Sequence, residues 1–362
     1  MKNVLGTHLT LTLYGESHGA AVGAVLDGLA PGLPVEEDYI RAQLSLRRPV
    51  GDISTPRQEP DRFVIDSGVY RGKTTGTPLS IRIPNENVRS GDYSAMEHIA
   101  RPGHADYTGY VKYRGCNDPR GGGHFSGRVT AALVAAGAIV RYALEQKGIV
   151  IASHIARLGG IDDRAFSDWS ADAAALNGRP FAVLDTAAGE RMQACIRAAR
   201  AAGDSVGGVL ETAALGMPAG VGEPWFSSVE SVLSAALFAI PAVKGVEFGD
   251  GFALCDRRGS EANDPFRMAG AQVVTVTNHN GGVNGGITNG MPVTFRTAVK
   301  PTPTIGREQE TVDFAAGADT TLQGKGRHDP CIVHRARVVV DNVTALVLAD
   351  LLMGRYGTDW LA

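Results

Sequence analysis

Four stretches rich in Thr, Val, Ile and Leu and punctuated by Gly and Pro predict β-strands suited to antiparallel pairing: residues 9–14, 20–26, 79–83 and 293–299. Three others carry helical patterns. Residues 129–147 are apolar nearly all round, with Ser126 placed to cap the start and Gly148 past the end, which predicts a buried central helix needing cover on every side. Residues 190–202 set Met192, Cys195, Ile196 and Ala199 at helical spacing and stop at Gly203, as a surface helix would; residues 343–352 form a third. The Asp, Ala and Ser run over 160–180 predicts a surface connection rather than a domain linker. The most apolar stretch, 129–140, falls short of the roughly 20 residues that span a bilayer, so no membrane segment is expected.

The chain also resembles itself. Gly15-Glu16-Ser17-His18-Gly19 followed by Val22-Gly23 matches Gly203-Asp204-Ser205-Val206-Gly207 followed by Val209-Leu210. Gly68-Val69, Gly72, Thr74, Gly76 and Pro78 then match Gly282-Val283, Gly286, Thr288, Gly290 and Pro292 without a gap. The shared order predicts a single domain over 1–362 built by internal duplication, with approximate halves 1–150 and 200–355, each a sheet-and-helix unit. Chance likeness between Gly-rich strand ends is the alternative.

Composition sharpens this. A chain of 362 residues that is 44% apolar and 20% charged can bury a large core. Its net charge of -3 supplies no global positive field for nucleic acid, so any anion must be held locally. Four scattered cysteines, Cys116, Cys195, Cys255 and Cys331, form no CxxC pair, and no secretory leader is evident; both point to reduced thiols and a cytoplasmic protein. The 46 glycines cluster in motifs, as expected of several backbone-lined binding loops.

Four segments could carry chemistry. Arg120-Gly121-Gly122-Gly123-His124-Phe125-Ser126-Gly127-Arg128 opens the predicted central helix, so backbone N–H groups, a helix dipole and an arginine converge there as an anion site; a structural tight turn is the alternative. His18, beside Glu16, and His104, in Arg101-Pro102-Gly103-His104-Ala105-Asp106, sit in Gly-containing loops where either could be a general acid or a satisfied structural histidine. No HExxH or comparable spacing supports a metal. Lys325-Gly326-Arg327-His328-Asp329-Pro330-Cys331 can hold an anion and place a base, or be a solvated charged turn. The stretch from Asn278 through Gly285-Gly286 to Lys300-Pro301-Thr302-Pro303-Thr304 combines close backbone approach with polar donors and could cradle a polar cofactor, yet no GxGxxG dinucleotide turn is present. Arg47-Arg48-Pro49 adds guanidinium forks suited to carboxylates and phosphates.

Read in this order, the segments resemble the chorismate synthase family from Gly15 to about Leu352; Asp27-Gly28 and Val243-Lys244-Gly245-Val246-Glu247 add to the match. The resemblance implies an α+β fold, a β-α-β sandwich of antiparallel sheets around a helical core in two pseudo-symmetric halves, assembled as a homotetramer. It implies 1,4-anti elimination of phosphate from 5-enolpyruvylshikimate 3-phosphate to give chorismate, the final step of the shikimate pathway, with reduced FMN required and no net redox change. By the same resemblance His18 would hold a proton near flavin N1 and the C2 oxygen, His104 would protonate the departing phosphate, and Asp329 would take a proton onward from flavin N5. His124, Phe125, Ser126, Gly285, Lys300, Pro301, Thr302, Pro303, Thr304 and Arg327 match FMN-contacting positions, and Arg47, Arg48 and Arg128 match positions that hold the substrate's phosphate and carboxylates. With no nicotinamide fingerprint, the flavin would come reduced from an external reductant.

The chain departs from the family pattern in places. His124-Phe125 stands where many relatives have Arg-Ser, and Pro241 where some carry a flavin-contacting Asn, so those contacts would run through backbone or be lost. Ile53 lies near a position where relatives often offer another Arg, and Val339-Val340-Asp341-Asn342 replaces a more usual Ala/Glu-containing stretch. A non-catalytic anion- or flavin-binding homologue and an ordinary flavin oxidoreductase are the competing readings.

Overall fold

The computed structural model describes residues 3–55, 59–86, 98–324 and 329–362, so Arg327 and its neighbours 325–328 lie outside the described residues. In the first half, β1 (Val4–Leu5), β2 (Thr10–Gly15) and β3 (Ala21–Asp27) lead to α1 (Glu37–Leu46). β4 (Val64–Ser67), the hairpin β5 (Val69–Tyr70) and β6 (Lys73–Thr74), and β7 (Leu79–Pro84) follow, before α2 (Asp106–Tyr113) and α3 (Thr130–Gln146). In the second half, β8 (Val150–Leu158), β9 (Ile161–Asp162), α4 (Trp169–Leu176) and α5 (Thr186–Ala201) precede β10 (Gly208–Leu215), α6 (Val229–Phe238) and β11 (Val243–Phe248). After α7 (Gly259–Ala262) come the hairpins β12 (Phe266–Ala269) with β13 (Gln272–Thr275) and β14 (Val283–Asn284) with β15 (Ile287–Thr288). The chain ends with β16 (Val293–Val299), the hairpin β17 (Glu308–Asp313) with β18 (Ala318–Gln323), and α8 (Val333–Tyr356).

Two five-stranded sheets, both antiparallel throughout, enclose a helical layer. One is ordered β1-β2-β3-β7-β4 and the other β9-β8-β10-β16-β11. α3 packs on β3 and β7, α8 packs on β8 and β10, and the two helices pack on each other, which gives the expected β-α-β sandwich. α3 can take that place because Ala131 to Val140 are all buried, so no polar face needs water. By length and composition the run Gly127–Gln146 could cross a membrane, the one such helix among the described residues; most of it is buried between the sheets. The apolar stretch is thus longer than 129–140, because Arg141 is buried with partners and does not interrupt the helix.

The two sheets share part of their connectivity. In each, a helix, an edge strand and a short hairpin separate the central strand from its antiparallel neighbour: α1, β4 and β5–β6 between β3 and β7, and α6, β11 and β14–β15 between β10 and β16, where α7 and the hairpin β12–β13 are additional. The matching residues do matching work. Thr74 Oγ1 donates to Ala30 O at 2.6 Å and accepts from Leu33 N at 2.9 Å, while Thr288 Oγ1 donates to Pro218 O at 2.6 Å and accepts from Val221 N at 2.9 Å. Gly68 and Gly282 both have φ near +80°, and a Cβ on either would fall 2.4 Å from the next backbone, Leu79 Cα or Pro292 O. Only glycine fits such an approach.

Four local expectations change. The C-terminal helix runs Val333–Tyr356 rather than 343–352, and nearly all of Val333 to Met353 is buried. Residues 160–180 contain β9 and α4, the latter capped by Asp168, which accepts from Ala171 N at 3.0 Å, and packing Ala173 and Leu176 in a satellite core with Ala152 and Ala182. Ser126 accepts from Arg128 N in a tight 3-10 turn ahead of α3, so it caps that turn and not the helix itself. The surface helix begins earlier, at Thr186, because Asp185 caps it through Ala187 N at 2.9 Å. It buries Met192 and Ile196 and ends before Gly203, as its spacing predicts.

Candidate active site

A large cleft of about 1220 Å³ opens between the β1–β2 edge, the turns before α3, the chain from Ala239 to Lys244, and the start of α8. Its floor is the turn Arg120–Phe125, where Gly121, Gly122 and Gly123 follow one another with φ of +60°, +83° and +53°. That left-handed run is affordable only to glycine. The Gly15-to-Gly19 segment is tied to it by Ser17 N donating to Gly123 O at 3.0 Å and by the 2.8 Å contact of His124 Nδ1 with Gly15 O. His18, 7% exposed, therefore lies against Gly121, whose absent Cβ would fall 2.2 Å from the imidazole. Gly121→Ala is expected to push His18 out of place and lower turnover at least tenfold, with the core intact by circular dichroism; unchanged turnover would mean that the position of His18 is immaterial.

The second histidine, His104, lines the cleft. His104 Nε2 lies 2.6 Å from Thr304 Oγ1, and Lys300 Nζ donates to Gly103 O at 2.6 Å, so the loop 101–106 is docked on the segment Lys300 to Thr304. Arg101 grips Asp106 through two side-chain hydrogen bonds of 2.7 and 2.8 Å, which commits that carboxylate to a cation rather than to a metal. Among the described residues no three His, Cys, Asp or Glu side chains group as metal ligands would. Burial pushes His104 down to about 4, Arg101 and Lys300 push the same way, and Asp106 opposes them. The free site thus holds a neutral imidazole at neutral pH.

Asp329 enters just before α8. Its Oδ1 accepts from Thr55 N at 3.2 Å and its Oδ2 is ion-paired with Arg335, which lines the cleft and donates from Nε to Arg47 O at 2.8 Å. Arg335 is a site cation that sequence reasoning missed, because it sits where the C-terminal helix was not expected to extend.

The substrate arginines divide. Arg48 is exposed at the rim and donates to Pro60 O at 2.5 Å. Arg47 and Arg128 are each only 8% exposed and share a partner no motif announced, Asp61: Arg47 Nη1 lies 3.3 Å from its Oδ2 and Arg128 Nη1 is ion-paired with its Oδ1. They are fixed walls of the cleft rather than free forks. Arg120 is turned to Asp118 at 2.8 Å and does not reinforce the anion site.

Of the residues matched to flavin positions, His124, Phe125, Ser126, Lys300, Thr302 and Pro303 line the cleft, and Thr304 reaches it through His104. Phe125 stands edge-on to Tyr113 at 6.0 Å, half-exposed at the mouth. Pro301 is not among the lining residues, whereas Pro241 is. Gly285 is the clear exception: it is exposed in the β14–β15 turn, outside the cleft of this chain, because that hairpin packs by Gly286 against Glu223 and Ser228. Ile53, read as a missing arginine, is buried in the core.

Comparison with known proteins gives a consistent result. The family model for chorismate synthase matches residues 9–353. A chorismate synthase from Aeropyrum pernix is 46% identical over 355 residues, covering 98% of this chain and 93% of that protein. One from Thermococcus kodakarensis is 45% identical over 350 residues, covering 97% of each. A solved structure described as the crystal structure of chorismate synthase superposes with a TM-score of 0.76 at 30% identity, covering 98% of this chain and 94% of that one.

Proposed function

The chain belongs to the chorismate synthase family, and on that footing we propose that it converts 5-enolpyruvylshikimate 3-phosphate to chorismate and phosphate by 1,4-anti elimination, with reduced FMN bound in the same cleft and no net redox change. As a member of this family it is a carbon–oxygen lyase. The observation that carries the finer reading is the meeting at one cleft of groups far apart in sequence: His104, Asp329, and His18 held against the cleft-lining Gly121.

The residues present suit these two ligands. The cleft is larger than the roughly 300–1,000 Å³ usual for one small molecule. Leu133, Ile240 and Val339 offer a flat ring apolar cover beside the backbone of Gly121 and Gly122. Lys300, Thr302, Pro303, Phe125 and Ser126 would hold FMN, and Arg47, Arg48 and Arg128 the anionic substrate. When bound, reduced FMN supplies an electron-rich ring that eases phosphate departure from a neutral carbon ring. His104, steadied by Thr304, gives a proton to the departing phosphate oxygen. Asp329 takes onward the proton that has left the substrate ring, as its final acceptor, and His18 keeps a proton beside the bound ring system.

Pure protein given the substrate and chemically reduced FMN without oxygen is expected to release chorismate and one phosphate per turnover. Binding of both ligands without product would identify a non-catalytic homologue; stoichiometric use of NAD(P)H with an organic acceptor would identify an oxidoreductase. By resemblance to the family the same reading makes the enzyme a cytoplasmic homotetramer of single-domain duplicated subunits, catalysing the last step of the shikimate pathway with flavin reduced by an external reductant; the four free cysteines fit that compartment and the shared sheet connectivity fits the duplication.

A further inference from the structure

Arg47 comes from the end of α1 and Arg128 from the turn before α3, and what joins them is Asp61, from neither element. Asp61 is 5% exposed and holds φ of +50°, a left-handed conformation that a non-glycine residue takes at a cost. Asp and Asn tolerate it best. Each guanidinium is held at all three nitrogens. Arg47 donates from Nε to Thr130 Oγ1 at 3.0 Å and from Nη2 to Gly127 O at 2.8 Å; Arg128 donates from Nε to Asn85 Oδ1 at 2.9 Å and from Nη2 to Pro84 O at 3.1 Å. The third nitrogen of each faces Asp61. Since a guanidinium has five N–H groups, this leaves two donors on each arginine beyond these contacts, at residues that line the cleft.

We propose that Asp61 is a positioning residue for anion recognition, a carboxylate that clamps two buried guanidinium groups side by side so that their remaining donors meet the phosphate or a carboxylate of the substrate together. Two like charges that close would separate or shed a proton without an anion between them. Burial already lowers Arg47 to about 10, with Asp61 the partner that raises it and Arg335 and Arg128 lowering it further. Asp61 keeps the pair cationic and in register, leaving one net positive charge for the ligand. The inference rests on the elimination reading for the identity of the substrate, not for the geometry.

The sign of the effect separates positioning from mere charge balance. Asp61→Asn keeps the shape and suits the left-handed backbone, and it raises the local positive charge. If Asp61 only neutralised charge, anions would bind more tightly without it. As a positioning residue, its loss raises the KM for 5-enolpyruvylshikimate 3-phosphate at least tenfold, changes kcat less than threefold, and weakens inorganic phosphate at least tenfold by calorimetry. An unchanged or tighter phosphate affinity overturns the proposal. Calorimetry with phosphate reads Asp61 even if the wild-type protein makes no chorismate, a result that would count against the elimination reading alone. Should the Asn variant not fold, Asp61→Gly, which also suits the backbone, is tested with added formate. Formate filling the gap restores phosphate affinity; formate that only competes with phosphate refutes the clamp.

Discussion

Replacing His104 by Ala is expected to lower turnover by about two to four orders of magnitude, the usual worth of a general acid, while flavin affinity changes by no more than a few fold. The expectation comes from its surroundings. Burial and the cations Arg101 and Lys300 hold the imidazole neutral, down to about 4, against the pull of Asp106. A group so depressed cannot donate a proton at neutral pH in the empty site. An anionic phosphate bound against Lys300 would offset that cation and favour the charged imidazole, which ties proton donation to the presence of the leaving group. In a nuclear magnetic resonance titration the His104 ring should stay neutral from pH 8 to about 5 in the free protein and move its midpoint upward when inorganic phosphate is added. A midpoint that phosphate leaves in place, or equal losses of turnover and flavin affinity in the Ala variant, would make His104 a structural histidine.

The largest expected loss of stability comes from a residue remote from the cleft. Asp341, wholly buried on α8, is the carboxylate between two buried guanidinium groups: its Oδ2 lies 3.4 Å from Arg141 Nη1 and 3.2 Å from Arg337 Nη1, and its Oδ1 accepts from Ser153 Oγ. Arg141 further donates to Gln43 Oε1 at 3.0 Å and Ile151 O at 2.7 Å, and Arg337 to Arg179 O at 2.9 Å. The cluster joins α3 to α8 and both to β8. Asp341→Ala leaves Arg337 buried without a counter-ion and Arg141 with Glu145 alone, 3.3 Å from its Nε, which costs about 3–5 kcal/mol and should lower the denaturant midpoint of unfolding clearly. The triple variant Asp341→Ala, Arg141→Met, Arg337→Met should recover much of that loss, since removing all three charges also removes their desolvation cost. A single variant within about 1 kcal/mol of wild type would show that water reaches the cluster.

How much of this was legible beforehand differs by residue. His18, His104 and Asp329, the proposed acid–base groups, stand out in the sequence because each sits in a short local signature that survives without knowledge of its neighbours. The central strands and α3 were readable because their apolar pattern and glycine ends are local too. The first ten residues of α8 were not: Arg337, Asp341 and Asn342 break the apolar pattern, and only their partners on α3, α1 and β8 make them fit for a core. Residues 160–180 were misread as a connection because alanines and aspartates carry little hydrophobic signal until Ala152 and Ala182 cover them.

By itself the amino-acid order determined most kinds of element, the family, and the short segments in which the proposed acid–base groups stand, and it showed the paired threonine and glycine motifs from which a duplication was inferred. These follow from short-range rules of backbone conformation, capping and burial periodicity. Only the tertiary structure decided which arginines have carboxylate partners, that Asp61 and Arg335 line the cleft, and that Gly285 lies outside the cleft of this chain. The physical reason is that ion pairing and desolvation depend on distance in space. Asp61 and Arg128 are 67 positions apart along the chain yet in contact, and no pattern of neighbouring residues encodes that meeting.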